Sequence, residues 1–184
     1  MNDFPYHTIE TAPKDAKPIL EAAEKTFGMT PNLLRKMAEA PALLEGYWQL
    51  KDIFDKSSLS PIEQQVVLIT ASASNGCTYC VGVHSVLADM VKVPSEATEA
   101  LRNGQPIPDA RLEALRQFTL SMVENRGWVP EAEVQAFLDA GFTRAQVLEV
   151  VLGVGFKTLS NYTNHLVESE LDPAFKKRAW KPVD

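Results

Sequence analysis

Pro, Gly and helix-capping residues divide the chain at regular intervals, and this punctuation is what most constrains its fold. The intervals carry apolar residues at the three- and four-residue spacing of a helix, and none has the strict alternation of a strand. Hydrophobic residues make up 45% of the 184 residues, enough for a buried core. The sequence therefore predicts an all-α protein in which residues 1–184 form a single domain.

Two capping boxes mark the main helices. Ser60 and Thr143 each stand three residues before a Glu or Gln, so both pairs can satisfy free N–H groups at a helix start. The first box predicts a helical hairpin over residues 59–92, and the second a long C-terminal helix over residues 143–168. Both precede Gln-containing apolar runs, QQVVLI and QVLEVVL, which leaves open a duplicated helical hairpin. Further predicted elements are an N-terminal arm at residues 1–15, helices at 18–27, 95–102, 109–125 and 130–140, and helices beginning after Thr30, near Pro41 and after Asp172.

Cys77, Cys80 and His84 occupy positions i, i+3 and i+7 of one predicted helix and can lie along one stripe. The pKa of a thiol falls from about 8.5 to roughly 3.5–7.5 near a helix N-terminus or an imidazole. A second sulfur can resolve a sulfenic acid or a mixed disulfide formed on the first. The pattern predicts thiol redox chemistry and a Cys77–Cys80 disulfide that a partner must reduce. This chemistry requires no cofactor and no metal.

The competing interpretation of the cysteine pair is a zinc half-site, which His84 and His165 could complete. Structural zinc sites usually join two compact ligand clusters, whereas His165 stands alone on an apolar helix, so a metal site is disfavoured. Inert buried cysteines are a further alternative. Asn161, Asn164 and His165 recur at helical spacing, so His165 is a candidate for the surroundings of the site, although a core or interface network is the favoured explanation of the stripe.

Charge and hydropathy exclude several partners. The net charge of -6 leaves no basic surface for nucleic acid. No apolar run reaches the roughly 18 residues of a membrane span, and the N-terminal segment lacks a secretory pattern. We therefore expect a cytoplasmic protein, where two close cysteines indicate redox or metal chemistry in preference to a structural disulfide.

The stretch LSPIEQQVVLITASASNGCTYCVGVH, residues 59–84, resembles the core motif of the alkylhydroperoxidase D and carboxymuconolactone decarboxylase superfamily. The shared elements are the L-S-P-x-E helix opening, an apolar run, N-G-C-x-Y-C and a His four residues later. The flanking segments GMTPNLLRKMAEAP and KTLSNYTNHLVESELDPAF are similar to a branch of uncharacterised peroxidase-related proteins. The resemblance implies an AhpD-like helical bundle that assembles as a homotrimer or homohexamer.

The resemblance also implies roles for the three motif residues. Cys80 attacks a hydroperoxide and becomes a sulfenic acid, Cys77 donates a proton and resolves it, and His84 is the base of a proton relay. The implied partners are a hydroperoxide substrate and a dithiol or protein disulfide reductant. The decarboxylase branch does not depend on a cysteine pair, so the intact C-x-x-C motif favours a thiol peroxidase.

Two positions depart from the family pattern. The relay carboxylate falls on Gln65, which cannot take a proton, and Tyr79 stands between the cysteines where the characterised peroxidase has a His. Glu63 is close to Gln65 but belongs to the capping box. Gln65, Glu63, Tyr79 and His165 are thus the candidates for a relay or for the surroundings of the site. A nonenzymatic metal-binding or redox-sensing module, or a catalytically idle oligomeric scaffold, remain the alternatives to a peroxidase.

Overall fold

The computed structural model describes residues 3–182, which form nine α-helices and contain no strand. The helices are α1 (Lys17–Phe27), α2 (Asn32–Met37), α3 (Pro41–Phe54), α4 (Pro61–Ser74), α5 (Thr78–Met90), α6 (Ser95–Arg102), α7 (Ala110–Glu124), α8 (Glu131–Asp139) and α9 (Arg144–Val167). The predicted all-α class is confirmed. None of the helices in this part of the chain is both long and apolar enough to cross a bilayer.

Helix α4 lies at the centre of the bundle and contacts α5, α6, α7 and α9. Its first turn is the predicted capping box, in which Ser60 Oγ accepts from the Glu63 N–H and Glu63 Oε2 accepts from the Ser60 N–H. Ten of its 14 residues are buried, because neighbours cover it on several sides. The predicted hairpin is present as α4 and α5, joined at Gly76, whose φ of 69° favours glycine.

Helix α9 opens at the second predicted capping box, on Thr143, and continues without a break for 24 residues. The second box therefore begins one helix and not a copy of the α4–α5 hairpin, so the duplicated hairpin that the sequence left open is not formed there. A β-carbon at Gly153 would lie 2.7 Å from Phe54 Cε2 and 2.8 Å from Val67 Cγ1. Glycine at this position lets α9 pack closely against α3 and α4.

Both ends of the described part of the chain are attached to the bundle. Residues 3–15 of the predicted 1–15 arm pack on α2, where Arg35 donates from Nε to the His7 carbonyl and from Nη2 to the Tyr6 carbonyl, at 3.0 and 3.1 Å; residues 1 and 2 lie outside the described part. A short 3-10 helix, Lys14–Ala16, follows and was not predicted. The predicted terminal helix is also a 3-10 helix, Pro173–Arg178.

We expect Gly153→Ala to lower the free energy of unfolding by about 1–3 kcal/mol, because the added methyl overpacks the contact with Phe54 and Val67. Gly155→Ala is the matched control two residues along α9, since a β-carbon there meets nothing within 4 Å. It should raise stability by about 0.5–1 kcal/mol through helix propensity. Urea unfolding followed by circular dichroism measures both, and equal effects of the two variants would contradict the close packing.

Candidate active site

The cysteine pair lies at the start of α5, as the sequence predicts. Cys77 is the N-cap residue, and its N–H donates to the Ser72 carbonyl at 2.9 Å, which fixes the turn after α4. Cys80 lies in the first turn of α5. The side chains of Cys77 and Cys80 are 0% and 2% exposed, and both thiols are free and adjacent.

The buried face of α9 lies across from this pair. Its polar side chains recur at helical spacing and are all buried, namely Lys157, Ser160, Asn161 and Asn164. Asn161 Oδ1 accepts from Asn75 Nδ2 at 3.0 Å, and Asn161 Nδ2 donates to Ser72 Oγ at 3.4 Å. These bonds attach α9 to the end of α4, just before the cysteines.

The environment of Cys80 stabilises its thiolate. Burial alone raises the pKa of Cys80, but hydrogen bonding from Cys77, the positive charge of Lys157 and polar contacts from Asn161 and Ser160 outweigh burial and lower this pKa to about 6. Cys80 is therefore largely ionised near neutral pH. A thiolate is the form that attacks electrophiles.

Cys77 is shifted in the opposite direction. Its hydrogen bond with Cys80, burial, and the negative charge of the Cys80 thiolate all raise the pKa of Cys77 above its ordinary value. The pair thus consists of one thiolate and one protonated thiol. Such an arrangement provides a nucleophile and, beside it, a proton donor.

His84 bridges Gln65 and Lys157. His84 Nδ1 lies 3.0 Å from Gln65 Oε1, and Lys157 Nζ lies 2.9 Å from His84 Nε2. Since an ammonium only donates and the amide oxygen only accepts, His84 is the neutral tautomer with the proton on Nδ1. Burial and the charge of Lys157 lower the pKa of His84 well below its usual range.

The geometry shows no hydrogen bond that would support the predicted role of His84 as the base for Cys80. Within residues 3–182, neither ring nitrogen of His84 hydrogen-bonds a cysteine sulfur; Lys157 and Gln65 occupy both. Its lowered pKa also makes it a poor proton acceptor. The group whose charge acts on Cys80 is Lys157, and His84 holds that ammonium in place.

Gln65 and Glu63 have different hydrogen-bond partners. Gln65 lies beside His84, so the position predicted from the sequence does reach the histidine, but through an amide that fixes the tautomer. Glu63 forms the capping box that the sequence predicts: Glu63 Oε2 accepts the Ser60 N–H and Glu63 Oε1 pairs with Arg111 at 3.1 Å, so neither oxygen is bonded to His84. Glu63 is a helix cap with an ion pair.

The other two candidates, Tyr79 and His165, make no hydrogen bond to His84, Gln65 or Lys157 within residues 3–182. The Tyr79 hydroxyl donates to Asp172 Oδ2 at 2.7 Å and accepts from the Leu33 N–H at 3.3 Å, so it ties the C-terminal segment to α2 and α5. Burial and Asp172 raise the pKa of Tyr79 well above its usual value. His165 is exposed and stacks on Tyr162, with ring centroids 6.3 Å apart. Tyr79 is therefore bonded to Asp172 and Leu33 and shares a pocket wall with Gln65 and His84, whereas His165 faces outward.

A zinc site made of Cys77, Cys80, His84 and His165 is not assembled, because His165 faces outward. Across the described residues, no group of three or more His, Cys, Asp or Glu side chains is arranged to hold a metal ion. The two nitrogens of His84 are already engaged. The cysteine pair is thus surrounded by groups suited to a thiolate.

The residue that sequence reasoning missed is Lys157. It is the one Lys, Arg, Asp or Glu between Glu149 and Glu168, and it lies four and seven residues before Asn161 and Asn164 on the same helical face. That spacing was the available signal, because a lone charge on an otherwise buried stripe needs a partner.

A pocket of about 110 Å³ borders α5, and its lining includes neither Cys77 nor Cys80. Tyr47 of α3 lines it and also packs against the apolar cluster that contains both cysteines. Tyr79 and His84 of α5 and Gln65 of α4 contribute to its wall. The remaining lining is mostly apolar, so the pocket suits an uncharged ligand.

The structure is an all-helical, AhpD-like fold with a buried C-x-x-C thiol pair. Residues 39–119 match the sequence model described as the carboxymuconolactone decarboxylase family. This segment includes α3 to α6 and the cysteine pair, so the resemblance inferred from residues 59–84 is confirmed. Curated protein sequences gave no significant match.

Several solved structures share the fold. An alkylhydroperoxidase AhpD core, an uncharacterized peroxidase-related protein from Ralstonia eutropha JMP134, has 24% identity and a TM-score of 0.82 over 94% of this chain and 93% of that chain. An uncharacterized peroxidase-related protein from Silicibacter sp. TM1040 has 20% identity and a TM-score of 0.79 over 94% and 92%. The debrominase Bmp8, solved as a Cys-to-Ala variant with 2,3,4-tribromopyrrole, has 16% identity and a TM-score of 0.75 over 90% and 89%. At these identities the likeness shows a common fold.

We expect Lys157→Met to raise the pKa of Cys80 from about 6 toward its ordinary value, because the substitution removes a positive charge that favours the thiolate. At a pH below this pKa, each unit of increase lowers the thiolate fraction about tenfold. Alkylation rate against pH, with mass readout of the modified peptide, measures the shift. The exposed Lys176→Met should leave the profile unchanged, and an unchanged profile for Lys157→Met would show that the charge does not act on Cys80.

Proposed function

We propose that the protein is a thiol-dependent peroxidase that reduces organic hydroperoxides through Cys77 and Cys80. The observation that carries this proposal is the opposite pKa shift of two adjacent thiols, with Cys80 lowered and Cys77 raised. A thiolate beside a protonated thiol is what reduction of a hydroperoxide by a resolving pair requires.

In the first step, the Cys80 thiolate attacks the terminal oxygen of the hydroperoxide. A sulfur–oxygen bond forms, the oxygen–oxygen bond breaks, and the alkoxide leaves with the electron pair of that bond. The alkoxide takes the proton of the Cys77 thiol and becomes an alcohol. Cys80 is then a sulfenic acid and Cys77 a thiolate.

In the second step, the Cys77 thiolate attacks the Cys80 sulfur. The disulfide forms, the sulfur–oxygen bond breaks, and the released hydroxide takes a proton from solvent to give water. An external dithiol or a protein disulfide reductant then returns both cysteines to thiols and is itself oxidised to a disulfide. A cytoplasmic location, expected from the sequence, would supply such reductants.

Lys157 and His84 act on this cycle through Cys80. Lys157 supplies the positive charge that keeps Cys80 ionised at neutral pH, so the cycle needs no carboxylate to remove the thiol proton. His84 positions Lys157, and Gln65 positions His84. The glutamine in place of a relay carboxylate is thus compatible with an active peroxidase.

The peroxidase-related proteins that share the fold, and the family match over residues 39–119, support the same class of activity. The debrominase Bmp8 shows that other reactions occur on this fold. Activity therefore has to be argued from the cysteine environment, since a shared fold does not fix the reaction.

We expect Cys80→Ser to abolish peroxide consumption with dithiothreitol as reductant, because serine is not ionised near neutral pH and cannot form a sulfenic acid. Cys77→Ser, treated with peroxide in the absence of dithiol, should consume one equivalent and leave a Cys80 sulfenic acid, visible as a gain of one oxygen by mass spectrometry. His165→Ala, an exposed control, should keep full activity.

The outcomes separate the alternatives. Full turnover by Cys80→Ser contradicts the peroxidase assignment. A wild-type protein that is oxidised once but does not turn over with dithiol is a redox sensor. A protein purified without chelator that contains stoichiometric zinc is a metal module, and one whose cysteines resist peroxide altogether is an idle scaffold.

We also propose that the chain forms homotrimers or homohexamers through the outer face of α9. Leu148, Val151 and Leu166 are 70%, 47% and 67% exposed along that helix. Large apolar side chains in a row on one helix face favour contact with another copy.

We expect the wild-type protein to have the mass of three or six chains in light scattering, and Leu148→Lys combined with Leu166→Lys to lower that mass, because two charges would be buried at the interface. Met90→Lys, at a residue of α5 that is 72% exposed, is the matched control and should not change the mass. A wild-type mass of one chain would contradict the assembly.

A further inference from the structure

The side-chain amide of Asn161 is held at both its oxygen and its nitrogen by residues at the end of α4. Asn75 Nδ2 donates to Asn161 Oδ1 at 3.0 Å, and Asn161 Nδ2 donates to Ser72 Oγ at 3.4 Å. Asn161 and Ser72 are both 0% exposed, so solvent does not compete with these bonds at either residue. The amide is therefore a buried and satisfied group of α9.

Ser72 sets the direction of these bonds. Its hydroxyl donates to the Leu68 carbonyl at 2.7 Å, and a hydroxyl has only one proton to donate. Ser72 Oγ can then only accept, so the end of the Asn161 amide that faces it must be the NH2 group. The amide oxygen consequently faces Asn75, whose NH2 group donates to it.

The second proton of this NH2 group is available to Cys80. Asn161 is in hydrogen-bonding contact with the Cys80 thiol. Ser160 contacts the same thiol, but its hydroxyl donates to the Lys157 carbonyl at 3.1 Å. A hydrogen bond donated to a thiolate stabilises the ionised form, whereas an amide oxygen in the same place would repel it. The orientation of the Asn161 amide thus decides the sign of its effect on Cys80.

The residues that orient Asn161 also belong to the turn before the cysteines. The Ser72 carbonyl accepts the Cys77 N–H at 2.9 Å, and Asn75 is the C-cap residue of α4, two positions before Cys77. The end of α4 therefore fixes where α5 begins and, at the same time, which end of the amide on α9 is turned toward Cys80.

We propose that Asn161 is a catalytic residue that donates from its NH2 group to the Cys80 sulfur, and that Ser72 and Asn75 are the positioning residues that keep this donor turned toward it. The assignment rests on the proposed role of Cys80 as the attacking thiolate. It adds a neutral hydrogen-bond donor to the charge of Lys157, so α9 supplies both kinds of stabilisation.

Titratable groups lie around Cys80 on three helices, with Cys77 and Tyr79 on α5, Lys157 on α9 and Tyr47 on α3. The substitutions that test the proposal change none of these groups and introduce no charge. A shift in the titration of Cys80 in these variants therefore reports the amide.

We expect Asn161→Leu to raise the pKa of Cys80 from about 6 by about one unit, because the thiolate loses a donor. The test measures the rate of alkylation by iodoacetamide against pH, with mass readout of the Cys80 peptide. At high pH the variant should react about threefold faster than the wild type, because a thiolate of higher pKa is more nucleophilic. Well below pH 6 it should react about threefold more slowly, because its thiolate fraction is about tenfold smaller. The two curves should cross.

Asn164→Leu is the matched control, because Asn164 is a buried asparagine three residues further along α9 whose Oδ1 accepts the Ser169 N–H at 3.1 Å. It should leave the pH profile of Cys80 unchanged. Asn75→Ala tests the positioning role at a half-buried residue. It should raise the pKa of Cys80 by about half a unit, which is about threefold in thiolate fraction, because Ser72 alone then holds the amide.

Alkylation reports the Cys80 thiolate without any peroxide, so this result is independent of the peroxidase proposal. A folded Asn161→Leu protein with the wild-type profile, or equal shifts in Asn161→Leu and Asn164→Leu, would overturn the assignment even in an active peroxidase. If Asn161→Leu does not fold, Asn75→Ala decides alone, and an unchanged profile for that variant overturns the positioning role of α4.

Discussion

A single buried positive charge decides how α5 and α9 meet. Lys157 is 1% exposed, and a charge taken out of water at such a position is costly unless opposite charge and hydrogen bonds compensate it. The compensation comes from the lone pair of His84 and from the thiolate of Cys80. The packing of α5 and α9 brings the ammonium to both groups. Reactivity of the cysteine and packing of the helices follow from the same contact.

The two uncharged side chains that position Lys157, His84 and Gln65, are as important as the charge itself. Because Gln65 accepts from His84 Nδ1, the ring must present its Nε2 lone pair to Lys157. A histidine with a raised pKa would be cationic and would repel the lysine. Burial and the lysine charge instead keep His84 neutral. A chain of one amide, one neutral imidazole and one ammonium thus orients the charge that acts on Cys80.

The fold was largely predictable because its signals are local. Capping residues act on the N–H groups of their own helix, so Ser60 and Thr143 marked α4 and α9 correctly. The site was predictable only in part. The spacing of the cysteines placed both thiols at the start of α5, and Glu63 forms the capping box that the sequence predicts, but His165, a candidate for the surroundings of the site, is exposed. Spacing gives the face of a helix on which a residue lies, and it does not identify what packs on that face.

The sequence by itself determined the helices, the turn before the cysteines and the position of both thiols in the first turn of α5, since each depends on residues within one or two turns along the chain. The resemblance pointed to Cys80 as the attacking thiol, but only the tertiary structure showed why that thiol ionises, because the charge on Cys80 depends on Lys157, 77 positions further along the chain. It also showed that His84 contacts Gln65 and that lysine. Electrostatic effects depend on distance and burial in space, and a sequence without its packing specifies neither.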